Sequence, residues 1–202
     1  MHVLVMAKAP AAGRVKTRLC PPCTPERAAA LAEAALRDTL DAALASAADR
    51  CVLALDGPAG SWVPAGVEVI PQRGDRLDER LAHAWADVGD GGVQIGMDTP
   101  QVTPALLDLG LAALDRHDAA LGLADDGGWW AIGLRAPRLD VFLGVATSTA
   151  RTGADQRRRL ETLGLDVAAL PRLRDVDTWP DACAVAAACP SSRFGQAVAA
   201  GE

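Results

Sequence analysis

The only two lysines of the 202-residue chain lie in one short stretch near its start, MAKAPAAGRVKTRL. These are Lys8 and Lys16, and the other 18 basic residues are all arginine, among them Arg14 and Arg18 in the same stretch. Four cations beside Gly13, which allows close approach of backbone amides, could surround a diphosphate or triphosphate. The spacing differs from a Walker A loop, because two residues separate Gly13 from Lys16 and the earlier glycine is missing. A solvated basic loop is the alternative.

A single carboxylate, Asp98, follows a buried apolar run in the stretch GMDTP. Mg²⁺ binds in proteins through one or two carboxylates together with phosphate oxygens and water, and a carboxylate at a strand end suits that purpose. The alternative is that Asp98 caps the next helix, although Thr103 is itself a good cap. We therefore expect Asp98 to bind a divalent metal.

Two further polar motifs follow other apolar runs. In the stretch DVDT, Asp175 and Asp177 alternate and project to one side, so either could supply a second metal carboxylate; capping of the next helix by Asp177 or Thr178 is the alternative. In the stretch DDGG, Asp126 and its two glycines permit a tight turn that comes close to an acceptor, or they form a simple hairpin turn.

Short apolar runs alternate with amphipathic ones along the whole chain. Strands are expected over residues 2–7, 51–55, 67–70, 92–97, 119–123, 129–134 and 166–170, the sixth in a hairpin or at a reversed edge. Helices are expected after Thr24 and over residues 77–85, 104–114, 154–163 and 181–188. This pattern predicts one α/β domain over residues 1–202, with a mostly parallel sheet between helices. Ligands of such sheets bind at the carboxyl ends of the strands, where the polar motifs fall.

Composition excludes some classes of partner. The net charge of -6 and the pI of about 5.1 argue against a nucleic-acid-binding surface, which needs an extended basic face. No stretch approaches the ~18 apolar residues of a membrane span, and the first residues do not read as a signal peptide. We therefore expect a cytoplasmic protein. Its five cysteines are an odd number, and in a cytoplasmic chain we expect no disulfide framework. Cys20 and Cys23 have redox-motif spacing but lack the strand context of such a site.

Five motifs occur in an order and at spacings that resemble a bacterial family of glycosyltransferase-like transferases related to 2-phospho-L-lactate guanylyltransferase. They are KAPAAGRVKTRL, RGDRLDERL, GMDTPQVTPALL, ADDGGWWAIGL and LRDVDTWPDA, and together they extend over about residues 3–185. The resemblance implies a GT-A-like, Rossmann-like three-layer sandwich of the nucleotide-diphospho-sugar transferase superfamily. Where relatives carry Leu-Gly-Glu-Arg, this chain has an aspartate, Asp78, in place of the glycine, and the usual Tyr-Tyr pair is Trp129-Trp130.

The resemblance also implies roles for individual residues. Phosphate contacts are implied for Lys8, Gly13, Lys16 and Arg18, and we add Arg14 and Thr17 of the same loop. Binding of Mg²⁺ or Mn²⁺ is implied for Asp98, with Asp177 as the likelier second ligand. Contact with base and ribose is implied for the segment that contains Gln72, Gly74, Glu79 and Arg80. Contact with the acceptor is implied for Asp126, Gly127, Gly128, Ser148 and Thr149.

These features favour nucleotidyl transfer, in which the phosphate of a small acceptor attacks the α-phosphorus of an NTP and pyrophosphate leaves. An anionic acceptor needs no general base, which agrees with the lack of a candidate histidine in the motifs. Glycosyl transfer from an NDP-sugar is the alternative, because the same cations could stabilise a departing diphosphate. A nucleotide-binding domain without turnover is the third possibility.

Overall fold

The apolar run at the start of the chain forms the middle of a seven-stranded sheet in the computed structural model, which describes residues 1–200. The strands are β1 (His2–Lys8), β2 (Arg50–Asp56), β3 (Val67–Pro71), β4 (Gly92–Gly96), β5 (Ala119–Ala124), β6 (Trp129–Leu134) and β7 (Val167–Leu173). Their order in the sheet is β3-β2-β1-β4-β6-β5-β7. This mostly parallel α/β sheet confirms the predicted fold class.

The described residues form six α-helices. They are α1 (Pro25–Leu44), α2 (Leu77–Val88), α3 (Pro104–Ala113), α4 (Thr152–Thr162), α5 (Trp179–Ala188) and α6 (Arg193–Ala199). The threonine before α1 and the one before α3 cap these helices, because the hydroxyl of each accepts a hydrogen bond from a backbone N–H of the first turn. Proline at the start of both helices has no N–H that would need a partner.

Alternate residues of β1 enter two different hydrophobic cores. Val3 and Val5 pack with buried residues of α1 and α3, whereas Leu4 and Met6 pack on the other face with residues of α2 and α4. A strand that is buried on both faces is therefore apolar without interruption, as this one is. A third cluster joins α1, α5 and α6 and includes Val176.

Strand β6 is the one strand of the described sheet that runs against its neighbours. It forms the predicted hairpin with β5, because only residues 125–128 connect the two strands. The prediction of an edge position is wrong, since β6 also pairs with β4 and lies inside the sheet. The hairpin can lie inside the sheet because both of its outer flanks find a partner: β6 pairs antiparallel with β4, and β5 pairs in parallel with β7.

The sheet brings the polar motifs to one edge. In the parallel register, Lys8 pairs with Asp56 of β2, and Met6 of β1 pairs with Gly96 of β4. The loop after β1 and the Asp98 turn therefore leave the sheet side by side. The chain after β7 reaches the same place, where the backbone N–H of Val176 donates to the carbonyl of Asp98 at 2.8 Å.

No helix within residues 1–200 combines the length and the apolar character that crossing a bilayer requires.

His2 is a fully buried histidine, and neither ring nitrogen has a hydrogen-bond partner among the described residues. Its ring lies edge-on to Trp85, with 5.1 Å between the centroids. Burial lowers the pKa of His2 to about 4, against the opposing charge of Asp90. Between pH 6.5 and 4 the imidazole of His2 is therefore protonated in the unfolded chain but neutral in the folded protein.

We therefore expect the His2 contribution to the free energy of unfolding to fall by ~3 kcal/mol as the pH decreases from 6.5 to 4. His2→Phe keeps a ring at this position and should flatten this part of the pH profile. Urea unfolding at several pH values measures the slope, with His83→Gln as the control that leaves His2 in place. An unchanged slope in His2→Phe would contradict the assignment.

Candidate functional site

A cleft of about 370 Å³ opens at the carboxyl end of β1 and β4, and we call it the first cleft. Its walls contain many of the predicted residues from four separate parts of the chain. These are Lys8, Arg14, Lys16, Thr17, Arg18, Gln72, Arg80, Asp98 and Asp177. Gly13 lies outside the lining, in the same loop, with a left-handed φ of 74° that favours glycine.

Two cations of the first cleft are available to a ligand. Within residues 1–200, the side chains of Lys8 and Arg14 form neither a hydrogen bond nor an ion pair with the protein. Both residues are exposed at the cleft. Their positive charges are therefore not neutralised by protein carboxylates, which is the condition for binding an anion.

Lys16, in contrast, is used by the protein itself. Its ammonium group forms an ion pair with Asp98 and donates a hydrogen bond to the backbone carbonyl of Val176. The side chain is only 7% exposed, and the backbone has a left-handed φ of 48° just before a short 3₁₀ helix over Thr17–Leu19. Lys16 thus joins the loop after β1 to the two segments that carry the carboxylates.

The carboxylate of Asp175 is the group that the sequence analysis left open and the structure singles out. Its Oδ1 is buried and has no hydrogen-bond partner among the described residues. Burial, together with the negative charges of Asp126 and Asp98, raises the pKa of Asp175 to about 7, although Lys16 opposes this. An unpartnered carboxylate among like charges is a position that a cation would stabilise.

Asp177, the predicted second metal ligand, lies on the other side of Asp98. Its Oδ2 accepts a hydrogen bond from Arg18 at 3.2 Å, and the side chain is 39% exposed. The two aspartates border different spaces, since Asp177 lines the first cleft and Asp175 lines a second one. Within residues 1–200, no three His, Cys, Asp or Glu side chains converge as a metal-binding group.

The second cleft, of about 240 Å³, adjoins the first and shares Asp98 with it. Its lining includes the predicted acceptor residues Asp126, Gly128, Ser148 and Thr149, together with Asp175 and Trp129. Gly127 is not part of this lining. A Cβ atom at Gly127 would lie 2.1 Å from the carbonyl oxygen of Ala150, so this glycine permits the turn to pack on the chain before α4.

Internal hydrogen bonds shape the walls of the second cleft. The Oδ1 of Asp126 accepts from the N–H of Gly128 at 2.7 Å, which fixes the turn after β5. Thr149 donates its N–H to the hydroxyl of Thr152 at 3.1 Å. Ser148 has a positive φ of 60°, an uncommon conformation for a residue other than glycine. Strained backbone of this kind is frequent at ligand sites.

Side chains of the segment predicted to contact base and ribose form hydrogen bonds within the protein. Gln72 donates from Nε2 to the carbonyls of Ala7 and Ala54, at 2.9 Å each. Glu79 accepts from backbone N–H groups at the start of α2 and lies outside both clefts. Gly74 also lies outside them. A Cβ at Gly74 would come within 2.8 Å of the Glu79 Cβ.

Arg80 remains at the first cleft but is also paired. Its Nη1 donates to Asp56 at 3.0 Å and its Nε to the Gly74 carbonyl at 3.0 Å.

The two consecutive tryptophans at the start of β6 have different surroundings, as the strand alternation predicts. Trp130 is buried in the core and donates to the carbonyl of Pro171, whereas Trp129 lines the second cleft.

Comparison with protein families gives one match: a profile described as "Uncharacterized protein conserved in bacteria (DUF2064)" covers residues 30–149, more than half of the chain. No curated protein matches the sequence.

Solved structures share the fold over nearly the whole chain. A protein of Desulfovibrio desulfuricans G20, described as a candidate nucleotide-diphospho-sugar transferase, has 27% identity and a TM-score of 0.87 over 98% of this chain and 94% of its own. CMP:2-keto-3-deoxy-manno-octonic acid synthetase in complex with CTP has 16% identity and a TM-score of 0.61, over 94% and 97%. A Mycobacterium tuberculosis protein in complex with manganese has 24% identity and a TM-score of 0.51, over 92% and 97%. The chain thus has the fold of nucleotide-dependent transferases.

Proposed function

The chain belongs to the bacterial family DUF2064, and we propose that it is a metal-dependent nucleotidyltransferase, which joins the nucleotide of an NTP to a small phosphorylated acceptor and releases pyrophosphate. The observation that carries the proposal is the buried, unpartnered Oδ1 of Asp175 beside Asp98. Asp175 lines the second cleft, and Asp98 connects that cleft to the first cleft, where Lys8 and Arg14 are unpaired among the described residues. The fold shared with a CTP-bound synthetase agrees with this function.

The residues present fit a hard divalent cation. Asp98 and Asp175 offer carboxylate oxygens, the ligand type that Mg²⁺ and Mn²⁺ prefer. A bound cation would also offset the negative charges of Asp98 and Asp126, which disfavour the ionised form of Asp175. The manganese complex of the M. tuberculosis protein with the same fold agrees with such a site. When bound, the cation would neutralise charge on the donor phosphates.

The loop after β1 supplies the anion-binding side. We assign Lys8 and Arg14 to the donor phosphates, because neither is paired with a protein carboxylate in the described residues. Lys16 holds Asp98 and the Val176 carbonyl in place and keeps one positive charge at the carboxylates. Arg18 and Asp177 pair at the rim of the first cleft.

The reaction then needs charge stabilisation and alignment more than proton transfer. An oxygen of the acceptor phosphate forms a bond to the α-phosphorus of the NTP, and the bond from that phosphorus to the bridging oxygen of pyrophosphate breaks. The acceptor oxygen is already ionised, so no base must remove a proton. Lys8 and Arg14 stabilise the negative charge that collects on the leaving pyrophosphate.

Glycosyl transfer from an NDP-sugar is the second candidate. It is favoured by the likeness to the D. desulfuricans protein, with 27% identity and a TM-score of 0.87. The same cleft would bind the diphosphate, and Asp98 and Asp175 would play the same part. The two functions differ in the product that leaves: pyrophosphate in the first and a nucleoside diphosphate in the second.

A thermal-shift screen tests the proposal. The four NTPs and a set of NDP-sugars are added with and without Mg²⁺ or Mn²⁺, and a ligand at 100 times its dissociation constant should stabilise the protein by ~2.7 kcal/mol. We expect stabilisation by an NTP that requires the metal, followed by pyrophosphate release with a panel of small phosphorylated acids. Stabilisation by NDP-sugars alone would favour glycosyl transfer, and binding without turnover on any acceptor would favour a binding domain. If no nucleotide stabilised the protein, nucleotidyl transfer, glycosyl transfer and nucleotide binding without turnover would all be excluded.

A further inference from the structure

Asp78 is a buried carboxylate outside both clefts. It lies in the first turn of α2 and is only 4% exposed. Its two oxygens accept hydrogen bonds from two nitrogens of the Arg76 guanidinium. Nε donates to Oδ1 at 2.9 Å, and Nη2 donates to Oδ2. Arg76 itself is 63% exposed, so the pair covers the carboxylate from one side only.

The other side of Asp78 contacts a distant part of the chain. Its Oδ2 accepts a hydrogen bond from the backbone N–H of Gly144 at 2.9 Å. The carbonyl of the same peptide unit, that of Leu143, accepts from Arg159 of α4 at 2.9 Å. One peptide plane is therefore held between an anion of α2 and a cation of α4. Both of its hydrogen bonds involve a charged group and are the stronger for it.

The surrounding contacts support this peptide plane. The buried Nε2 of Gln156 in α4 donates to the Val141 carbonyl at 2.9 Å, and the ring of Phe142 stacks on Trp85 of α2 with 6.1 Å between centroids. Gly144 has a left-handed φ of 79°, and an added Cβ would lie 3.3 Å from the Arg159 guanidinium. Glycine adopts this left-handed conformation without strain.

The chain leaves this fixed peptide and enters the second cleft three residues later. Thr147, Ser148 and Thr149 line that cleft, and we call residues 147–149 the acceptor segment. Val145, between the two, is buried. The position of the acceptor segment is thus set at its start by the Leu143–Gly144 peptide and at its end by the bond from Thr149 to Thr152.

We propose that Asp78 is a positioning residue for the acceptor segment: its hydrogen bond to Gly144, opposite that of Arg159 to Leu143, holds the segment in the shape that receives the acceptor phosphate. This inference rests on the proposed function. A glycine at position 78 would have no side chain to make this bond. Asp78 thereby contributes to acceptor selectivity.

The chain contains a matched control for the experiment. The sequence Arg-Leu-Asp occurs twice, and Asp140 pairs with Arg138 in the same two-ended manner as Asp78 with Arg76. Asp140 has no hydrogen bond to a distant backbone group among the described residues and is 50% exposed. Asp78→Gly and Asp78→Asn are compared with Asp140→Asn, all in the full chain.

The first measurement is amide hydrogen exchange followed by mass spectrometry. In Asp78→Gly, exchange over residues 143–152 should become about tenfold faster, because the peptide loses a charge-assisted hydrogen bond. Helix α1 should exchange as in the wild type. Asp78→Asn, whose amide oxygen can still accept from Gly144, should lie within about threefold of the wild type, and Asp140→Asn should not differ from it. Unchanged exchange over 143–152, or equal acceleration in α1, would overturn the proposal.

The second measurement separates acceptor from donor. Inorganic phosphate serves as the smallest acceptor probe, and its dissociation constant is measured by calorimetry beside that of the NTP with Mg²⁺. In Asp78→Gly, phosphate binding should weaken about tenfold while NTP affinity is unchanged, with rescue in Asp78→Asn. Equal loss of both affinities, or loss of neither, would overturn the proposal. Failure of the wild type to bind any NTP would refute the proposed function alone, and the exchange pattern would still decide for or against Asp78.

Discussion

Replacing Asp98 with asparagine should lower transfer by about a thousandfold on any acceptor that the pyrophosphate screen identifies. Asp98 is the carboxylate shared by both clefts, so its loss removes the proposed metal ligand at the point where we propose that donor and acceptor meet. The stabilisation by NTP that depends on Mg²⁺ should disappear with it. Asparagine has the same shape, and the backbone carbonyl still accepts from Val176. The fold should therefore survive.

A change of the same kind at an exposed site provides the control for Asp98. Asp115→Asn, beyond the end of α3, removes one negative charge far from both clefts and should leave transfer and metal-dependent binding at the wild-type level. Circular dichroism and urea unfolding check that both variants are folded. Full metal dependence of NTP binding in Asp98→Asn would remove this residue from the site.

Asp175→Asn should separate stability from activity. The folded protein carries a carboxyl with a pKa of about 7, whereas the same group ionises near 3.8 when unfolded. Ionisation thus favours the unfolded state as the pH rises from about 4 to 7. The metal-free variant should be more stable than the wild type by ~2 kcal/mol at pH 8, about half of what the shift in pKa corresponds to, because the site is partly solvated. At pH 4 the gain should vanish.

The same variant should lose metal-dependent NTP stabilisation and about a hundredfold in transfer. Asp177→Asn is the matched comparison, two residues further along, and it decides which aspartate is the second ligand. Because Asp177 is exposed and paired with Arg18, we expect a loss of less than about tenfold there. The reverse ranking of the two variants would make Asp177 the ligand, as the family resemblance implies.

The element order and the edge of the sheet that carries the site could be predicted from the sequence. Those predictions depend on local patterns: alternating apolar runs, the threonine caps and the rule that ligands bind at carboxyl ends of strands. That rule predicts Lys8, Arg14 and Asp98, because Lys8 ends β1, Arg14 lies in the loop after β1, and Asp98 lies in the turn after β4. The separation of Trp129 from Trp130 likewise follows from strand alternation alone.

Other features depend on where distant segments meet, and the sequence did not reveal them. The interior position of β6 depends on which neighbour accepts the hairpin. The choice between Asp175 and Asp177 depends on which carboxylate is buried beside Asp126, and alternation cannot tell the two apart. The sequence predicts that Lys16 is a ligand-binding cation. Its ammonium group instead binds two groups of the protein, Asp98 and the Val176 carbonyl, which lie about 80 and 160 residues away along the chain.

Val176 connects the site to a hydrophobic cluster that lies outside both clefts. Its side chain is buried in the cluster of α1, α5 and α6, while its backbone N–H binds Asp98 and its carbonyl binds Lys16. Opening of the C-terminal helices and loss of carboxylate geometry therefore belong to one cooperative unit. Thermodynamic linkage makes this reciprocal: if metal and nucleotide bind in the clefts as we propose, they should slow the opening of α5 and α6, and a weakened α6 core should reduce their affinity from a distance.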